Sequence, residues 1–230
     1  MKKAYTFLLI TITFLTLNNV TTQASSLTYY EIYVAGMQIS SSNLSNIRGR
    51  GIKGKISYNP KTKTLTLNNV TINTVRGVNA ISNTGVEDLI INLVGNSTIN
   101  VLGVSGIILN TNTTITGEGS LKVTSDYHSG IYIQPNTTLT ISGGTVELKG
   151  RTGISGFDGT YGEKLVVTDA TLKAIGSPYG SIANLSSLVL EGGCKIVQPA
   201  NAKFNRDLCF VEDDGAKVIS QVVITKDIQE

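Results

Sequence analysis

The chain has 230 residues, with 19 Lys and Arg against 16 Asp and Glu, one His and two Cys. A single imidazole, His128, excludes every site that needs two or more histidine ligands, and with them most catalytic zinc centres. The formal net charge of +3 falls by two if Lys2 and Lys3 are removed, so global charge predicts no polyanionic partner.

Residues 1–24 read as a signal peptide. Lys2 and Lys3 precede an apolar, threonine-rich run from Tyr5 to Leu17. A polar stretch then ends at the small residues Ala24, Ser25 and Ser26. The apolar run is shorter than the roughly 20 residues a membrane helix needs, so no span is expected once the signal is cleaved. The expected location is secreted, periplasmic or cell-surface. In an exported chain Cys194 and Cys209 could form a disulfide, worth about 3 kcal/mol over a loop of this length. Two buried free thiols are the alternative.

Residues 25–63 read as an N-terminal β cap. Tyr30–Val34, Ala35-Gly36 and Met37–Ile39 have the form of a hairpin, and Lys55–Tyr58 with Thr64–Leu67 that of a second, turning at Asn59-Pro60. Arg48, Arg50, Lys53, Lys55, Lys61 and Lys63 fall here and Arg76 follows, with no acid between Glu31 and Glu87. The simplest reading is a solvated end that resists aggregation. Aromatics are too sparse in it for nucleic-acid stacking.

From Thr64 to Pro199 the chain repeats itself. An isoleucine preceded by a small residue recurs at Ile81, Ile107, Ile131, Ile154 and Ile182. A second ladder runs Leu67, Leu93, Ile115, Ile141, Val167 and Leu190. Two residues after each of these come Asn69, Gly95, Gly117, Gly143, Asp169 and Gly192. Near-constant spacing marks a solenoid, whose repeats bury their apolar faces by stacking. Alternation rich in Thr, Val and Ile, as in Leu139–Leu148, predicts strands with one face inside. The Asn/Gly/Asp column predicts a corner in left-handed backbone. The expectation is therefore all-β: one domain, a right-handed parallel β-helix of about six coils of 22–28 residues over 64–199. Residues 200–230 leave the repeat and form a C-terminal cap, with a turn at Glu212–Gly215.

The run GIKGKISYNPKTKTLTLNNVTI (51–72), following YEIYVAGMQIS (30–40), resembles the opening segment of secreted bacterial right-handed β-helix proteins. These are grouped with carbohydrate-binding, pectate-lyase-like β-helices. The resemblance covers the N-terminal cap and first coil, and beyond them only the repeat pattern. It implies a bacterial secreted or surface protein that handles polysaccharide. Seven Asn-x-Ser/Thr matches, at Asn19, Asn43, Asn69, Asn96, Asn112, Asn136 and Asn184, are accordingly read as turn residues rather than glycosylation sites.

The Ile ladder also serves as a ruler. Three steps back lie Val78, Val104, His128, Arg151 and Tyr179, and five steps back lie Asp126 and Lys149, with Tyr127 between. Asp126, Tyr127, His128, Lys149, Arg151 and Tyr179 should cluster over three coils, about 10 Å. Phe157, Asp158 and Tyr161 stand in the longest break in a coil and join them as candidate ligand-binding residues. Aromatic faces cover sugar C–H surfaces, while charged groups bond hydroxyls or uronate carboxylates. The plain alternative is ordinary loop aromatics and a surface Asp126–Lys149 pair of little worth.

The resemblance also raises a lyase, which would hold Ca²⁺ on acids such as Asp126 and Asp158 with Arg151 as base. Calcium needs six to eight oxygens, and the coils offer single scattered acids, so no catalytic residue is assigned and Ca²⁺ is the one cofactor left open. The expected function is non-catalytic polysaccharide binding at or outside the cell envelope. A pectate-lyase-type polysaccharide lyase and a structural or adhesive surface module are the alternatives.

Overall fold

The structure is a computed structural model that describes residues 26–226. The signal peptide expected over residues 1–24 lies outside the described residues. Among the described residues no helix is long and apolar enough to cross a membrane.

Two antiparallel hairpins open the fold. β1 (Tyr29–Val34) pairs with β2 (Met37–Ser40) through a turn with Ala35 and Gly36 at positive φ. β3 (Ile52–Asn59) pairs with β4 (Thr64–Asn73). Both hairpins stand where the turn residues place them. β4 is also the first rung of the solenoid, because it runs through a corner at Asn69 and pairs in parallel on both sides of it.

Each following coil adds three short strands. These are β5 (Ile81–Asn83), β6 (Leu89–Val94) and β7 (Asn96–Val101), then β8 (Ile107–Leu109), β9 (Thr113–Gly117) and β10 (Ser120–Ser125). The next two coils are β11 (Ser129–Ile133), β12 (Thr138–Ser142) and β13 (Thr145–Gly150), then β14 (Thr152–Gly156), β15 (Lys164–Thr168) and β16 (Thr171–Gly176). β17 (Ile182–Ala183) and β18 (Ser187–Glu191) begin a last coil that is not completed. The stack makes about five turns, close to the six expected.

The Ile ladder is one buried column. Ile81, Ile107, Ile131, Ile154 and Ile182 are matched rung to rung, and all five are fully buried. All six corner residues have positive φ: Asn69 49°, Gly95 63°, Gly117 110°, Gly143 94°, Asp169 48° and Gly192 60°.

The second ladder departs from its expected alignment at one step. Leu67 aligns with Leu93, but Leu93 aligns with Gly117, and Ile115 stacks on Ile91. The corner therefore begins two residues earlier from the third coil onward. The slip depends on glycine: a Cβ on Gly117 would lie 2.4 Å from the Leu93 carbonyl oxygen, and one on Gly119 2.4 Å from that of Gly95. The step leaves a notch beside the exposed side chain of Val94.

Antiparallel strands close the far end. β19 (Cys194–Gln198) does not continue the parallel stack, although the repeat was expected to run through residue 199. It pairs antiparallel with β23 (Val222–Lys226), which itself lies antiparallel on β16. β20 (Lys203–Asn205), β21 (Phe210–Asp213) and β22 (Ala216–Lys217) form a small meander. Its middle strand pairs with β17, and the turn of 212–215 is where the sequence puts it.

The expected Cys194–Cys209 disulfide is absent; both cysteines are free. Cys194 opens β19, with its thiol against the Ala170 carbonyl at 3.7 Å. Cys209 has its own at 3.3 Å from the Gly159 carbonyl, beside a loop on another face. Each thiol is held by a different part of the wall, so the two have no common approach.

Two outcomes follow. Ile131→Ala, in the middle rung, should lower unfolding free energy by about 2–5 kcal/mol in chemical denaturation, the usual cost of such a cavity. Mass spectrometry of unreduced, denatured chain treated with iodoacetamide should show both cysteines alkylated. In the folded chain Cys209 should react more slowly at pH 8 than a free thiol. Burial first, then the Glu163, Asp158 and Asp207 carboxylates, push its pKa up and lower its thiolate fraction.

Candidate functional site

The row three steps back from the Ile ladder forms a ridge across successive coils. The Arg151 N–H donates to the His128 carbonyl at 2.9 Å, and the Tyr179 N–H donates to the Arg151 carbonyl at 3.2 Å. Backbone bonds between coils thus set the spacing of these side chains. The Arg151 guanidinium lies 4.6 Å from the centre of the Tyr179 ring and donates to its hydroxyl at 2.7 Å. Arg76 approaches the ring of Tyr127 at 5.8 Å. Tyr127 and Tyr179 each keep more than half of their surface exposed.

On one side of the ridge lies a groove of about 290 Å³. Tyr127, His128, Arg151 and Tyr179 form one wall; Tyr132, Ser155 and Asn184 line the Ile face, and Lys217 reaches in from the cap. Of the candidates, then, the structure brings Tyr127, His128, Arg151 and Tyr179 together. Burial, and after it the Glu163 and Asp158 carboxylates, push the Tyr132 phenol pKa up, so it stays a protonated hydrogen-bond donor at neutral pH.

The other candidates are placed elsewhere. Asp126 is a strut: its carboxylate accepts from the Gly103 N–H of the preceding coil at 2.7 Å, and it makes no ion pair with Lys149. Lys149 turns to the opposite side of the ridge. There it lines a smaller hollow with Lys122, Glu147 and Lys173, in which Glu147 and Lys173 already form a 2.9 Å ion pair.

Phe157, Asp158 and Tyr161 belong to a separate loop and do not line the groove. The two rings meet edge-on, with centres 5.8 Å apart. The Asp158 carboxylate accepts from the N–H and hydroxyl of Thr160. A fully buried carboxylate, Glu163, holds the loop from beneath, accepting from the N–H groups of Asp158 and Tyr161 and from the Ser186 hydroxyl at 2.8 Å.

Sequence reasoning missed Tyr132, Ser155, Asn184 and Lys217. A signal for two of them was present. One step forward from the ladder, Ser82, Ile108, Tyr132, Ser155 and Ala183 form an outward row in register. Lys217 comes from the cap, outside the repeat, where no ruler reaches.

The charges that line the groove are of one sign, although the Glu163 and Asp158 carboxylates beyond it act on Tyr132. Arg151 and Lys217 line it, no Asp or Glu does, and neither cation has an ion-pair partner among the described residues. Lys217 instead lies 4.6 Å from the centre of the Phe210 ring. Nor is there a calcium-type donor set. Among the described residues no three His, Cys, Asp or Glu side chains gather as a metal site requires. Asp126 and Asp158, the two acids a lyase would use, are each engaged by backbone N–H groups.

The fold defines the chain as a parallel β-solenoid protein, with a cationic, tyrosine-walled groove on one of its corners. Comparison with family models, with curated proteins and with solved structures finds no match to this chain.

Proposed function

We propose that this chain is an exported, non-catalytic β-solenoid that binds polysaccharide in the Tyr127–Tyr179 groove, at or outside the cell envelope. The observation that carries the reading is the groove's composition. Two exposed tyrosines stand on a wall with Arg151, facing hydroxyl, phenol and carboxamide groups, with a lysine closing one end. Aromatic faces suit the C–H surfaces of pyranose rings, while neutral donors and acceptors suit ring hydroxyls. Two cations without carboxylate partners favour sugars that carry an acidic group over neutral ones.

Against a lyase stands the state of the acids. A calcium-dependent lyase needs several carboxylates converging on one metal, and here Asp126 and Asp158 stand on separate elements, with no metal-type cluster of acids among the described residues.

A glycan array followed by calorimetry tests the proposal. Tyr179→Ala and Arg151→Ala should each weaken binding by about tenfold or more, equivalent to about 1.4 kcal/mol. Lys149→Ala, across the ridge, should change it less than about twofold. No binding to any acidic or neutral polysaccharide, with or without Ca²⁺, would sink the reading. Unsaturated products that disappear in Arg151→Ala would replace it with the lyase.

A further inference from the structure

The far end of the solenoid is covered unevenly. β21 closes the Ile face by pairing with β17, and β23 closes the third face by pairing with β16. β18 pairs with β15 alone; on its other side it has no strand partner among the described residues. Its Leu188 and Leu190 continue the inward rows of Leu165 and Val167. Leu165 and Val167 are fully buried, while Leu188 and Leu190 are only half-buried. A slot of about 290 Å³ opens beside them, lined also by Lys195, Ile196, Ala202, Lys203 and Phe204 of the cap. A parallel strand left bare with apolar residues on its inner face is a template for another strand, and folded proteins ordinarily shield such edges with charge, proline or a bulge. β18 itself has no proline and a single charge, Glu191 at its end; the charges that line its slot, Lys195 and Lys203, belong to the cap strands β19 and β20.

The sequence of β18 says what fits. It reads Ser187-Leu-Val-Leu-Glu191. Paired antiparallel with itself about Val189, it sets Leu188 opposite Leu190 of the second copy, so the inward apolar row continues across the junction. The same register sets Glu191 of the second copy opposite Ser187. Ser187 is short, and directly behind it in register stands Lys164. Neither Lys164 nor Glu191 has an ion-pair partner among the described residues. Two strand spacings, about 10 Å between backbones, are within reach of a lysine and a glutamate extended toward each other. Two-fold symmetry makes the pair twice, as an isologous interface requires.

We propose that β18 is the docking edge for a second copy of this chain, joined by antiparallel β18–β18 pairing with reciprocal Lys164–Glu191 contacts. This rests on the edge and its charges, and is independent of what the groove binds.

Sedimentation equilibrium on the full chain tests it with a charge swap. The unaltered chain should show a reversible dimer. Glu191→Lys should weaken that dimer by about tenfold or more, and Lys164→Glu combined with Glu191→Lys should restore it. Glu191 is exposed and Lys164 half-buried, and circular dichroism will confirm that the variants fold. A chain that stays monomeric up to its solubility limit overturns the proposal. So does a dimer indifferent to Glu191→Lys, or one that the double swap fails to restore.

Discussion

A coil of this chain has no interior until another coil lies on it. Three strands of two to six residues cannot enclose anything by themselves, and their backbone N–H and C=O groups find partners only one rung up or down. Apolar burial and hydrogen bonding are therefore satisfied by the same act of stacking, and both demand the same translation, about 4.8 Å per rung. That coupling explains why the Ile ladder is invariant in its matching while the loops between rungs vary. A rung out of line would lose its ladder bonds and expose its isoleucine together.

The corner obeys the constraint in a second way. Positive φ is required at each level, and glycine is the ready supplier. The two non-glycine corner residues make use of their side chains: the Asn69 carboxamide oxygen accepts from the Asn96 N–H in the next coil, and Asp169 pairs with Lys226 of the cap. The hydrogen bond from Lys226, with its charge, holds the Asp169 carboxyl below the usual range. Both side chains lie over the corner glycine of the following coil, where a Cβ on Gly95 would come within 2.3 Å of Asn69 and one on Gly192 within 2.9 Å of Asp169. A polar corner in one coil thus obliges glycine in the next, and for a packing reason.

What could be read in the sequence follows from this. Anything carried by the translation was legible: the Ile column, all six corners, the two opening hairpins and the ridge of His128, Arg151 and Tyr179. The two-residue slip at Gly117 was not, because Leu93 and Ile115 are both aliphatic and a spacing count cannot tell which rung each occupies. Backbone proximity at Gly117 and Gly119 decides that. The fate of Asp126 and Lys149 was illegible for a similar reason. Their shared step on the ruler does not hold: β10 and β13 align Thr124 with Lys149, so the corner after β10 is two residues longer, and Asp126 stands in that corner against the Gly103 N–H while Lys149 stays on β13. The choice between a disulfide and two free thiols was not legible either, because sequence separation carries no information on which face a cap strand joins.

The same translation bears on what the groove can accommodate. Along its wall His128, Arg151 and Tyr179 come one from each coil and are tied by coil-to-coil backbone bonds, so Arg151 and Tyr179 present their groups at a spacing set by the fold rather than by loop packing. A wall of that kind loses little conformational freedom when it is occupied, which favours weak contacts repeated along a line over one deep contact. An extended ligand with a regular repeat can meet several rungs in turn, whereas a compact one meets a single rung and leaves the rest of the wall unused. Lys217 then has a distinct place. It comes from the cap, stands where the rungs stop, and closes with a charge a groove that the coils alone would leave open at that end.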